Sequence, residues 1–230
     1  MTILVAGASR GLGLELVRAG LDAGHTVIAT ERRETPALRE LAGRHGDRLH
    51  TVRFDLTDEP AVKAAADEVR ARTGTITHIV NNAGMLVGRG RGAADLDADE
   101  VARSFHVQAV GPALVVKHFL PMLVKDRGIQ ILNVSSQSGS MNEVTRPDYA
   151  YSMSKCALNM YTAMLRKELA PAGIPVACIH PGWIRTDMGG PDAPGDPRKA
   201  ADDIIHLLQG TTSPPEGVWF FNIDLTPIAL

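Results

Sequence analysis

With 230 residues the chain is long enough for one large α/β domain and short for two. Hydrophobic residues make up 44% of it, enough for a substantial core, and the longest apolar runs fall far short of a membrane span. A formal net charge of −2 leaves no electrostatic footprint for nucleic acid or anionic lipid.

The N-terminus, MTILVAGAS, lacks a basic region and a cleavage site and reads as a strand rather than a signal peptide. Cys156 and Cys178 form no C-x-x-C pair and suit a reducing interior, so a soluble cytoplasmic protein is expected. In chain order, short β-branched runs alternate with longer amphipathic ones. Strands are expected at 3–6, 26–30, 49–54, 76–81, 129–134, 176–180 and 218–221. The helices between them are expected at 12–23, 36–44, 59–72, 98–125, 151–170 and 197–209. Apolar strands joined by crossover helices imply a mostly or wholly parallel sheet of about seven strands, covered on both faces. The fold class is therefore α/β, a single doubly wound Rossmann-type domain over residues 1–230, with its ligand crevice at the carboxyl ends of the strands. The Gly- and Pro-rich stretch 189–199 reads as part of a mobile substrate loop near 183–200.

The first strand runs into AGASRGLG, where Gly7, Gly11 and Gly13 are spaced G-x-x-x-G-x-G ahead of a helix. Glycine there allows a tight turn and close approach of backbone to a pyrophosphate, and free N–H groups at the helix start face the anion. Alone the motif is weak, but its place between first strand and first helix favours dinucleotide binding over turn chemistry. Glu31 ends the second strand, near where a ribose-binding carboxylate would sit. Asp55 ends the third and could accept from an adenine amino group or simply act as a cap or turn residue; Thr57 and Asp58 are equally good caps. Further on, Tyr151 alone among the tyrosines has a lysine four places later, Lys155, and so shares a helical face with it. Tyr149 is left as a residue at the helix start or the pocket wall.

These motifs, with NNAG at 81–84, NVSSQSG at 133–139 and HPGWIRTDMGG at 180–190, resemble the short-chain dehydrogenase/reductase family over essentially the whole chain. The wording is nearest its C-factor-like and sniffer-like carbonyl reductases. The resemblance implies an NAD(P)-dependent oxidoreductase interconverting a carbonyl and an alcohol, with Tyr151 as acid/base. Lys155 would lower the phenol's pKa from its usual ~10 and hold the nicotinamide ribose. Ser136 matches the serine that bonds the substrate oxygen, with Ser135 and Ser138 as competitors. The dinucleotide would lie against Gly7, Ser9, Arg10, Gly11, Leu12 and Gly13, then Glu31 and Arg32, Asp55 and Leu56, and Asn82, Ala83 and Gly84. At its other end it would meet Tyr151, Lys155, Pro181, Gly182, Trp183, Ile184 and Thr186; Trp183 could stack there or merely pack.

One departure stands out. VQAVG at 107–111 puts Gln108 where the family has an asparagine that holds a relay water. The amide groups are kept on one more methylene, so the relay either survives with altered geometry or redox turnover is weak, which keeps non-redox chemistry such as dehydration, cyclisation or epimerisation as an alternative. A dinucleotide-binding regulator is the third reading. For the cofactor, Glu31 favours NAD(H), while Arg10 and Arg32 stand where the family's basic residues clamp the 2′-phosphate of NADP(H). The helices at 98–125 and 151–170 imply a homodimer or homotetramer. No histidine spacing suggests a metal site, and His106 reads as a helix-surface residue. GRGRG at 88–92 reads as a loop beside the active site rather than an RNA-binding repeat. Cys156 is expected in the core.

Overall fold

The computed structural model describes residues 1–144 and 147–230. Strand β1 (Thr2–Ala6) is followed by α1 (Gly11–Asp22), β2 (Thr26–Glu31), α2 (Pro36–His45), β3 (Leu49–Arg53), α3 (Glu59–Thr73) and β4 (His78–Asn81). The second half runs α4 (Ala98–Phe105), α5 (Gly111–Phe119), β5 (Ile131–Val134), α6 (Tyr149–Leu169), β6 (Val176–His180), α7 (Pro197–Gln209) and β7 (Phe220–Asn222). All seven strands pair in parallel, in the order β3-β2-β1-β4-β5-β6-β7.

The strands are apolar because both faces of the sheet are covered, and successive side chains supply opposite faces. Ile3 and Val5 pack with Leu16 and Val17 of α1 and Ile204 and Leu208 of α7. Leu4 and Ala6 face the other way, toward Val62 and Val69 of α3, Val115 and Phe119 of α5 and Leu165 of α6. Each such fully buried side chain contributes roughly 1.5–3 kcal/mol through the area it removes from water. Strand order reverses direction between β1 and β4, which opens a crevice above their carboxyl ends. The glycine loop leaves β1 and the NNAG segment leaves β4, so both rim that crevice.

The single helix expected over 98–125 is instead two helices joined by a π turn, His106–Val110, with a 3-10 turn at Leu120–Met122 after them. Helix α6 starts at Tyr149, two residues before the expected 151, so that Tyr149 is its first residue. Cys178 is buried, but Cys156, expected in the core, is only half-buried. His106 is exposed, as expected of a helix-surface residue.

Candidate active site

The glycine loop is packed so closely that side chains are excluded from it. A Cβ on Gly7, whose φ is +84°, would lie 2.6 Å from Ala83 Cα. One on Gly13 would lie 2.0 Å from Gly7 O. Asn82 Nδ2 donates to that same Gly7 oxygen at 2.8 Å, tying the loop after β4 to the loop after β1. The helix start is thereby held against the crevice with its free amides outward.

A cavity of about 700 Å³ runs along the crevice from this loop to Tyr151. Of the catalytic and dinucleotide-contact candidates read from the sequence, all but Gly13 line it, while Tyr149 does not; Gly13 sits behind, closing helix on strand. The volume and the glycine floor fit a dinucleotide laid along the crevice.

At the end near β2, Glu31 is buried and its Oε2 accepts from both the backbone N and the hydroxyl of Thr35, each at 2.9 Å. Arg32 lies 3.8 Å from Asp55, and Arg10 forms a 3.0 Å ion pair with Asp187 rather than with Glu31. Asp58 caps α3 by accepting from Ala61 N, so that role is not Asp55's. Asp55 instead bonds the backbone N and hydroxyl of Thr57, and these bonds, the backbone one first, hold its carboxyl below the usual range.

At the other end Ser136 and Tyr151 face each other. Ser136 Oγ accepts from Ser138 N at 3.2 Å; burial pushes the Tyr151 pKa up, and the nearby Ser136 hydroxyl partly opposes that push. Asp148 adds to that upward push and Arg89 opposes it, so the phenol ends above its ordinary value. Ser135 is otherwise engaged, its hydroxyl donating to Asn159 Oδ1 at 2.6 Å. Physical contacts thus separate Ser136 from its neighbour, which spacing alone did not.

Lys155 lies one turn below Tyr151, its Nζ 5.6 Å from the ring centroid and donating to Val134 O at 2.7 Å. Burial lowers its pKa to about 8. The expected lowering of the phenol's pKa by this ammonium is not seen: Lys155 Nζ is held by Val134 O, and burial raises the Tyr151 pKa.

Gln108 is fully buried in the π turn. Its Nε2 donates to Ser104 Oγ at 2.8 Å and to Ser154 Oγ at 2.9 Å, while Ser154 donates to Tyr151 O. Its Oε1, which a Cβ on Gly84 would approach to 3.4 Å, has no partner among the described residues. The amide nitrogen is therefore committed to the serines.

His180 and Arg89 line the cavity and were not singled out from the sequence. Burial and then the Lys155 charge lower the His180 pKa to about 4, and its buried Nδ1 has no partner. Its signal was the place just before Pro181–Gly182; that of Arg89 was the GRGRG loop. Trp183 is half-exposed, with Nε1 donating to Gly189 O at 2.8 Å. The 183–195 segment folds back on itself through Arg185 N to Gly195 O and Gly195 N to Trp183 O. Residues 145 and 146, shortly before α6 in the chain, lie outside the described residues.

The family model of the short chain dehydrogenases matches residues 1–196. C-signal from Myxococcus xanthus is 35% identical over 149 residues, 64% of this chain and 89% of that one. The solved carbonyl reductase Sniffer of D. melanogaster is 31% identical, covers 100% of this chain and 99% of its own, and gives a TM-score of 0.91. The NADPH-bound carbonyl reductase from chicken fatty liver is 28% identical with a TM-score of 0.86, over 100% of this chain and 98% of that one. No helix among the described residues is long and apolar enough to cross a membrane. With the sequence match over most of its length and the superposition over all of it, the chain belongs to the short-chain dehydrogenase/reductase family and is an NAD(P)-dependent oxidoreductase.

Proposed function

We propose that this protein interconverts a carbonyl and an alcohol, with Tyr151 transferring the proton and Ser136 bonding the substrate oxygen. The observation that carries this reading is the meeting of the Ser136 and Tyr151 side chains, over buried Lys155, at one end of the cavity that begins at the glycine loop. A bound nicotinamide supplies or accepts the hydride. Tyr151 Oη gives its proton to the forming alkoxide or takes one from the alcohol, and the Ser136 hydroxyl stabilises charge on the same oxygen. Lys155, whose pKa burial lowers to about 8, would hold the ribose hydroxyls of a bound nicotinamide nucleotide, and its ammonium near the phenol would favour phenolate. A screen of carbonyl compounds followed by nicotinamide absorbance tests this, and absence of turnover with every compound counts against it.

We infer that the preferred cofactor is NAD(H). Glu31 lines the cavity at the end of β2, and a 2′-phosphate ~4 Å from its carboxylate would be repelled by ~4 kcal/mol per unit charge before screening. Arg10 and Arg32 each already face a carboxylate, which weakens their pull on a phosphate. Dissociation constants decide it: NADPH binding more tightly than NADH overturns the preference, and Glu31→Ala should then strengthen NADPH further.

Non-redox chemistry is favoured by one observation, the commitment of Gln108 Nε2 to two serines instead of a relay toward Lys155. It predicts product formation without a change in nicotinamide absorbance. For assembly we propose a homodimer through α6, where Met153, Met160 and Met164 are exposed along the helix and Val110 lies exposed in the π turn. Light scattering showing a monomer at micromolar concentration contradicts it.

A further inference from the structure

Resting on the oxidoreductase reading, we propose that Arg89 anchors an anionic group of the substrate, so that the natural substrate is a carbonyl or alcohol compound bearing a carboxylate or phosphate. Three guanidiniums line the cavity. Arg10 and Arg32 face Asp187 at 3.0 Å and Asp55 at 3.8 Å. Arg89 differs: its Nη2 donates to Met188 O at 3.0 Å, and no carboxylate lies within ion-pair distance among the described residues. The two residues not described, Thr145 and Arg146, carry no carboxylate either.

Arg89 also stands at the right end. It lines the same cavity as Ser136 and Tyr151, and its charge is felt by the Tyr151 phenol, against that of Asp148. Asp148 Oδ1 accepts from Gly90 N at 3.0 Å, which fixes the backbone beside Arg89 to the start of α6. With one N–H used by Met188 O, the guanidinium keeps further donors for a bidentate contact with carboxylate or phosphate oxygens. Met85, Leu86 and Met188 make the nearby wall apolar, suiting a short hydrocarbon body between the carbonyl and the anion.

The competing role is a plain latch, with Arg89 only holding the 183–190 segment through Met188 O. The two separate on matched substrates. kcat/KM is measured for a homologous series of oxo acids, for oxo phosphate esters and for methyl ketones of equal length, in the wild type, Arg89→Ala and Arg89→Lys. We expect the wild type to favour one anionic series, and Arg89→Ala to lose about 10- to 100-fold more on that series than on the ketones. Arg89→Lys should restore part of the loss. Equal losses on charged and neutral substrates, or a wild type that prefers ketones, overturn the proposal. Calorimetry of hexanoate and of butyl phosphate binding to the cofactor-loaded protein separates it from the redox reading. Anion binding that Arg89→Ala abolishes, in a protein that reduces nothing, refutes the redox reading alone. Turnover of neutral carbonyls without anion binding refutes the Arg89 anchor alone.

Discussion

At the glycine-loop end of the crevice the arginines stand in solvent and pair with carboxylates, whereas at the Tyr151 end the polar groups are buried and bond backbone or one another. The side chains of Arg10 and Asp187 are 75% and 74% exposed, and such a pair is worth ~0–1 kcal/mol. Lys155 and Gln108 are buried, with Nζ on a carbonyl and the amide nitrogen on two serines. At the first end shape comes from missing side chains, and charge can change at little cost. At the second, Lys155, Gln108 and the serines beside them bond the backbone or one another, so a change there reaches stability and chemistry together.

The largest test of this contrast is Tyr151→Phe, which should lower kcat by at least ~10²-fold while leaving dinucleotide affinity nearly unchanged. Comparable activity in stopped assays of the variant would remove Tyr151 from the mechanism. Next comes the buried ammonium. Because folding lowers the Lys155 pKa from 10.5 to about 8, the unfolded chain holds a proton that the folded chain has released across that window. Its contribution to stability therefore rises with pH from about 8 to 10.5, by on the order of 3 kcal/mol. Cys178, pushed up to about 12 by burial, acts in the opposite sense, so the measurement is a difference: urea unfolding of wild type against Lys155→Met. The variant's advantage should shrink as pH rises; a gap that stays constant contradicts the prediction.

Gly13→Ala probes the other end, where the added methyl meets the Gly7 backbone oxygen at 2.0 Å as well as the Asn82 amide at 2.5 Å. It should cost about 1–3 kcal/mol in thermal unfolding and weaken dinucleotide binding. Gln108→Asn keeps the amide but shortens its reach to Ser104 and Ser154, and urea unfolding should show a loss of about 1–3 kcal/mol. The smallest effect belongs to Asp187→Asn: stability should change by less than ~0.5 kcal/mol, while freed Arg10 raises NADPH affinity relative to NADH. An unaltered ratio would show that Arg10 does not reach the phosphate.

The parallel sheet was legible because both of its faces are covered, leaving short apolar runs such as ILVA in β1 and VIA in β2. The Tyr151–Lys155 pair was legible because helix spacing is local. What escaped was set by contacts distant in sequence. Nothing near Arg10 marks Asp187 as its partner, and nothing near Lys155 marks Val134 O as its acceptor. The break in the 98–125 helix was hidden for the same reason: its apolar pattern runs on through the π turn, while Gln108 meets Ser154 on another helix.

That π turn lets one continuous rod change neighbours midway. Before it, Ser104 of α4 meets Ser154 of α6; after it, Val115 and Phe119 of α5 share a core with Val62 and Val69 of α3. Each residue advances an α-helix by about 100°, so the extra residue of a π turn resets the phase of everything beyond it. The stretch acts as a phase adjuster, and its length matters more than its composition. Deleting any single residue from 106–110 would regularise the rod and force a choice between seating Ser104 and seating Phe119, since the straightened helix can present only one of them correctly.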